Sequence, residues 1–216
     1  MRIVMTGATG LVGGLLVHKL GEHDLSLVGR RPVADAPVRT KQLVGPITDW
    51  PKLVSQSSYD VAICCLGTTI RAAGSRVAFA AVDRDAVADF AAAARAAGAR
   101  QLLMVSSVGA NPEARNFYLK TKGEAEAAAQ AAGFEQLDIF RPGLLRGHRT
   151  GKHRPGEAFM MAVSPITDLL TPHVFDQYRS IAAETVACAI AASIGREGSN
   201  TRILENRDML RLAGIR

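Results

Sequence analysis

TGATGLVG, residues 6–13, follows the apolar run Arg2–Met5 and opens the helically spaced stretch Leu11–Leu20. A short buried strand, a glycine turn and a helix in that order decide the fold. The glycines fall at Gly7, Gly10 and Gly13. The first permits a tight turn, the second lets the backbone approach a pyrophosphate, and the third lets the helix pack close to the sheet. Phosphate oxygens then meet free N–H groups at the helix N-terminus. The spacing has one residue more between the first two glycines than the GxGxxG fingerprint. Gly7, Thr9, Gly10, Leu11 and Gly13 are the expected pyrophosphate-binding set.

Outward from this turn, strands and helices alternate. Strands are expected at Leu25–Val28, Arg39–Val44, Asp60–Leu66, Gln101–Ser106, Leu137–Phe140 and Thr201–Leu204. The run DVAICCL at 60–66 is apolar throughout, as in a strand covered on both faces. Helices are expected at Trp50–Ser55, Arg84–Ala97, Asn116–Ala132 and Glu184–Ile194, with Gly21, Gly98 and Gly133 placed to end helices, and a last helical turn after residue 204. This pattern predicts an α/β fold, a doubly wound parallel sheet of Rossmann type. One domain is expected over 1–216, with a cofactor-binding core at 1–145. A substrate-side segment at 146–216, holding a loop, helices and the last strand, is expected to pack over the carboxyl ends of the strands.

Composition narrows the class. The chain has 216 residues, enough to bury a core without disulfides. The net charge is +6, but the basic residues are dispersed and no aromatic RNA motif accompanies them, so no nucleic-acid partner is expected. Three cysteines, Cys64, Cys65 and Cys188, have neither metal-ligand spacing nor an even count. No metal site is expected, and a reducing, cytoplasmic setting fits. Arg2 precedes an apolar stretch, but glycines break it up and no small-residue cleavage site follows. No run of 18 apolar residues occurs, so no membrane association is expected.

The end of the second strand bears on the cofactor. An NAD-preferring site carries an acid there, roughly 20 residues after the turn, for the ribose 2′-hydroxyl. This sequence has Gly29-Arg30-Arg31, and Asp24 lies too early. Arginine can clamp a 2′-phosphate in bidentate fashion. NADP(H) is therefore expected over NAD(H).

Tyr118 and Lys122 are four residues apart on the helix 116–132, which puts them on one face. Ser106 and Ser107 end the preceding strand. Free tyrosine has a pKa of about 10, too high for acid–base work near neutrality. A neighbouring ammonium favours the phenolate, and a drop of roughly 3 units corresponds to about 4 kcal/mol. A serine hydroxyl can orient a substrate oxygen while tyrosine moves the proton.

Together these features resemble the short-chain dehydrogenase/reductase superfamily, in its atypical single-domain form, and more closely the Tat-interacting oxidoreductase group. The supporting strings are TGATGLVGG at 6–14, CCLGTT at 64–69, VDRD at 82–85, SSVGAN at 106–111, FYLKTKGEAEA at 117–127, FRPGLL at 140–145, RPGE at 154–157 and ILEN at 203–206. The resemblance implies that Arg30, with Arg31 beside it, meets the 2′-phosphate and that Leu66 and Gly67 border the adenosine side. It implies that Pro142 and Gly143 lie near the nicotinamide, and that Ser107, Tyr118 and Lys122 form the catalytic set, with Ser107 preferred to Ser106. The superfamily's fourth catalytic member, an asparagine on the helix after the fourth strand, has no evident counterpart in the string.

The expected function is NADPH-dependent oxidation or reduction of a small carbonyl or hydroxyl substrate. Two alternatives stay open: an NADPH-binding regulatory or scaffold protein, and a cofactor-retaining epimerase or isomerase. A homodimer or a protein partner is compatible with either. Asp83 and Asp85 are expected to contact cofactor-side groups or, more simply, to stabilise a helix start. The basic loop with His148, Arg149, Lys152, His153 and Arg154, like His173, is expected to be solvated or to form a substrate lid.

Overall fold

The structure, a computed structural model, describes residues 1–147 and 179–215. The basic loop of 148–154 and His173 lie outside the described residues.

Strand β1 (Arg2–Thr6) leads through the glycine turn into α1 (Leu11–Lys19), followed by β2 (Asp24–Gly29) and β3 (Lys41–Val44). Helix α2 (Trp50–Val54) precedes β4 (Val61–Cys64). Two short helices, α3 (Ile70–Ala73) and α4 (Arg76–Ala80), were not apparent in the sequence pattern. A π-helical turn, Ala81–Asp85, joins α4 to α5 (Ala86–Ala96). Then come β5 (Gln101–Val105), α6 (Phe117–Ala131) and β6 (Gln136–Phe140). A two-residue pair, β7 (Leu145–Arg146) and β8 (Ile181–Ala182), lies outside the main sheet. Helix α7 (Ala183–Ser193), β9 (Thr201–Leu204) and α8 (Asn206–Leu212) complete the described chain.

Among the described residues the main sheet has seven parallel strands in the order β3-β2-β1-β4-β5-β6-β9. The order reverses between β1 and β4, which opens a crevice at their carboxyl ends. Alternation along each strand feeds two cores. Ile3, Met5, Leu27, Ile63 and Leu103 face α1, α7 and α8 through Val12, Leu16, Val186, Ile190 and Met209. Val4, Val28, Ala62, Leu102 and Met104 face α2, α5 and α6 through Trp50, Val54, Phe90, Ala125 and Ala129. Both faces are covered, which explains why β4 reads as apolar throughout.

Three expectations are corrected. Helix α5 is not a fresh start near residue 84. It continues a helix begun at Arg76, whose N-terminus is capped by Ser75 accepting from the Ala78 N–H at 3.1 Å. Gly21 does not end α1 through a left-handed residue; the helix closes at Leu20, whose N–H bonds the Val17 carbonyl. The division at residue 145 does not separate a core from a cover. Helix α7 packs beside α1 in the first core, and β9 is an edge strand of the same sheet. The described part of 146–216 thus completes the sheet rather than capping its carboxyl ends.

That edge strand is pinned by charge. Asp138 on β6 is fully buried and takes both a 2.6 Å and a 2.8 Å bond from the Arg202 guanidinium on β9. Gln101 Nε2 donates to Asp138 at 3.1 Å and to the Ser193 carbonyl at 2.8 Å, tying β5 to the end of α7. Removing one partner of a buried pair leaves an uncompensated charge. Arg202→Met is expected to cost about 3 kcal/mol in urea-induced unfolding. A loss below the error of the measurement would show that the pair does not hold the edge.

Candidate active site

The turn after β1 has no room for side chains. Gly7 adopts a left-handed φ of 82° and lies against the Cys65–Leu66 backbone; a Cβ there would sit 2.3 Å from the Cys65 carbonyl carbon. A Cβ on Gly13 would lie 2.2 Å from the Gly7 carbonyl oxygen, which instead accepts the Gly10 N–H at 2.9 Å. Gly10 occupies the N-cap of α1 without a capping side chain, and no acid lies in the first turn. The opening N–H groups of α1 therefore remain available to an anion. Thr9 is exposed at this mouth, whereas Leu11 is half-buried and reaches toward residue 147.

The turn continues into a crevice lined by Thr6, Gly7, Ala8, Thr9, Leu27, Val28, Gly29, Arg30, Arg31, Val33, Gln42, Trp50 and Leu66. None of these is acidic. Arg30 and Arg31 are exposed at its rim, and Asp24 stands at the opposite, amino end of β2. Gln42, which sequence reasoning missed, holds the arginine loop like a short strand: its Oε1 accepts the Val33 N–H at 2.8 Å and its Nε2 donates to the Val33 carbonyl at 3.1 Å. A glycine cradle at Gly7, Gly10 and Gly13, open helix N–H groups and a cationic rim form a crevice whose chemistry fits a dinucleotide.

The second half of the site rests on α6. Asn116 caps it by accepting the Leu119 N–H at 3.1 Å. Tyr118 is half-buried, its ring 5.8 Å from that of the fully buried Phe79. Lys122, one turn on, is buried. A Cβ on Gly123 would lie 2.2 Å from both the Asn111 carbonyl carbon and the Pro112 nitrogen. The loop after β5, which carries Ser107, thus sits directly on the helix that carries Tyr118 and Lys122.

Ser106 and Ser107 differ. Ser106 is buried, and its hydroxyl has no partner among the described residues; Ser107 is half-buried, its Oγ 3.4 Å from the Val108 carbonyl. The Ser106 N–H donates to the Phe140 carbonyl at 2.7 Å and the Val108 N–H to the Pro142 carbonyl at 3.1 Å. The serine pair and the Pro142–Gly143 segment therefore run side by side. Gly143 is held by its N–H on Asn206 Oδ1 at 3.0 Å. Arg141 in turn reaches Glu126 on α6 at 2.9 Å, which ties the segment to the helix.

Asp83 departs most from expectation. It lies inside the π-helical turn, fully buried, with Oδ1 2.7 Å from Lys122 Nζ. Its Oδ2 accepts the Thr68 N–H at 2.9 Å. It stabilises no helix start. Burial pulls the Lys122 ammonium down, but the Asp83 carboxylate and Tyr118 more than offset it, and the net shift is upward. Gly67 borders this pair, since a Cβ on it would lie 3.9 Å from Lys122 Nζ, while Leu66 lines the crevice. Burial pushes the thiol of Cys64, the last residue of β4, up to about 11, and raises that of Cys65, which lies half-buried just beyond the strand.

Residues 7–160 match the family model described as NAD(P)H-binding. The chain belongs to this NAD(P)H-binding family. It is 36% identical to Protein HTATIP2 of Rattus norvegicus over 163 residues, covering 72% of this chain and 66% of that protein. It is 30% identical to the mitochondrial Protein FMP52 of Eremothecium gossypii over 218 residues, covering 98% and 97%. MoeE5 in complex with UDP-glucuronic acid and NAD shares the fold at a TM-score of 0.73 and 16% identity, over 100% of this chain and 83% of that one. UDP-glucuronic acid 4-epimerase from Bacillus cereus in complex with NAD does so at 0.68 and 14%, over 95% and 77%. The resemblance to atypical short-chain dehydrogenases and to the Tat-interacting group is thereby established. The cytoplasmic expectation is not matched by the fungal relatives, which are named as mitochondrial. Among the described residues no helix is long and apolar enough to cross a membrane.

A close-packed glycine of α6 can be told apart from an ordinary helical one in α1. Gly123→Ala is expected to lose about 1–3 kcal/mol, because the added methyl group meets backbone that cannot yield. Gly14→Ala, whose nearest neighbour would lie at 3.6 Å, is expected to be neutral or to gain up to about 1 kcal/mol. Urea unfolding of both variants checks this; equal effects would contradict the packing described.

Proposed function

We propose that this chain is an NADPH-dependent oxidoreductase that reduces a carbonyl group on a small molecule. One observation carries the reading: the buried Lys122 ammonium lies one helical turn from Tyr118, on a helix locked to the Ser107 loop through Gly123. A solvated lysine and a surface tyrosine would need no such enclosure.

In this reading NADPH, when bound, would supply hydride to the carbonyl carbon. The C=O electron pair shifts to oxygen, and Tyr118 donates its phenolic proton there, giving the alcohol. Ser107 orients that oxygen by hydrogen bonding. Lys122, its ammonium 2.7 Å from the Asp83 carboxylate, steadies the tyrosine and offers N–H donors to the cofactor side. Pro142 is buried and Gly143 is anchored, which gives the opposite wall a rigid backbone. Tyr118→Phe is expected to lower turnover on a carbonyl panel by at least about 100-fold, within the range for lost acid–base catalysis. NADPH binding should stay nearly constant. Unchanged turnover in that variant would refute the assignment.

Preference for NADPH is supported by Arg30 and Arg31 at a rim without carboxylates. Charge-assisted hydrogen bonds contribute roughly 1.5–3 kcal/mol. The double change Arg30→Ala/Arg31→Ala is therefore expected to weaken NADPH binding by at least about tenfold and to leave NADH binding unaltered. Calorimetric titration with both nucleotides tests this, and equal affinities in the unmodified protein would overturn it.

A further inference from the structure

We propose that Asp83 is a positioning residue that fixes Lys122 and cancels part of its field at Tyr118, so that the site delivers a proton more readily than it removes one. The inference rests on the oxidoreductase reading above and deepens it.

Asp83 stands in the π-helical turn of the helix 76–96 that follows β4, and it touches Lys122 directly. An unbroken α-helix across 76–96 would not place its residues as this one does, because a π-helical turn adds a residue to the ladder and rotates the helix beyond it. Such turns occur frequently at functional sites. The carboxylate is fully buried, and its second oxygen is held by the Thr68 N–H in the loop after β4. One side chain therefore couples that loop, the helix 76–96 and the catalytic helix.

The charge balance at Tyr118 depends on the same contact. Lys122 alone would present a full positive charge to Tyr118 and draw off its proton. Paired with Asp83 at 2.7 Å it presents a dipole, whose field falls off faster with distance. An asparagine in the same place would hold Lys122 without this cancellation. Other groups nearby leave the balance intact. Cys64 on β4 is held neutral by burial, and Glu126 on α6 is occupied by Arg141. Glu124 is engaged by Arg84, which also holds Asp85. Arg76 on α4 lies over the Phe117 ring, 5.3 Å from its centre. Among the described residues, Asp83 is thus the negative charge in contact with Lys122.

The test uses the full chain without cofactor, with its three tyrosines labelled at the ring carbon bearing oxygen. Nuclear magnetic resonance tracks their ionisation with pH, and Tyr118→Phe assigns the signal. Asp83→Asn is expected to move the Tyr118 midpoint down by about one pH unit, as removal of a contacting negative charge should. In the same variant the alkaline limb of the carbonyl-reduction profile, above which Tyr118 no longer holds the proton it must donate, moves down with it. Asp83→Ser removes the charge without asking an amide to fill the site, and is expected to shift the midpoint in the same direction if the asparagine variant does not fold. A folded variant with an unmoved or raised midpoint would overturn the proposal and reduce Asp83 to a structural ion-pair partner. Normal turnover of Tyr118→Phe would instead defeat the oxidoreductase reading, while the titration would still report on the charge pair.

Discussion

The Gly7 carbonyl is squeezed between the Gly10 N–H and the Gly13 backbone, with the Cys65–Leu66 backbone pressed against Gly7 itself. No side chain fits anywhere in this contact. It fixes how closely α1 approaches β1 and β4, and so fixes the mouth of the crevice. The rest of the sheet is arranged about that point: strand order reverses there, α1 lays its first N–H groups there, and the loop after β4 passes over it. A methyl group at Gly7 or Gly13 would separate the elements that a dinucleotide has to touch at once.

The second half of the site depends on a different kind of close approach. Gly123 lets the loop after β5 rest on α6, while Arg141 and Glu126 tie α6 to the segment after β6. Both contacts are short and directional, so Tyr118 and Lys122 are carried on a rigid element rather than on a loop. Positioning of this kind is what acid–base chemistry needs, since proton transfer is steep in distance. Lys122 is kept charged in a buried place because Asp83 offsets the loss of water around it. The same ion pair that makes burial tolerable also moderates the electric field at the tyrosine.

Much of this was visible in the string of residues. The glycine turn, the seven strands of the sheet and the helix with Tyr118 and Lys122 all arise from local patterns: glycine where a Cβ clashes, apolar runs where both faces are covered, a four-residue step along a helix. Gly123 was also legible in principle, because a glycine inside a strong helix costs about 1 kcal/mol and asks for a packing reason. Asp83 was not. An aspartate ahead of an alanine-rich stretch reads as a helix start, and nothing local announces a π-helical turn or a buried lysine opposite. Gln42 gave no signal either, since its amide is defined only by the loop that folds back to meet it.

The sequence by itself determined a parallel sheet with a glycine turn, a cationic rim and a tyrosine–lysine pair, because each of these is specified by residues a few positions apart. Tertiary structure alone decided how the last strand is fastened to the sheet, pinned by Asp138 and Arg202. It alone decided that Lys122 is met by a buried carboxylate from another helix. Both are long-range meetings of opposite charges. Their partners are brought together by the burial of apolar surface elsewhere in the chain, which no short window of residues contains.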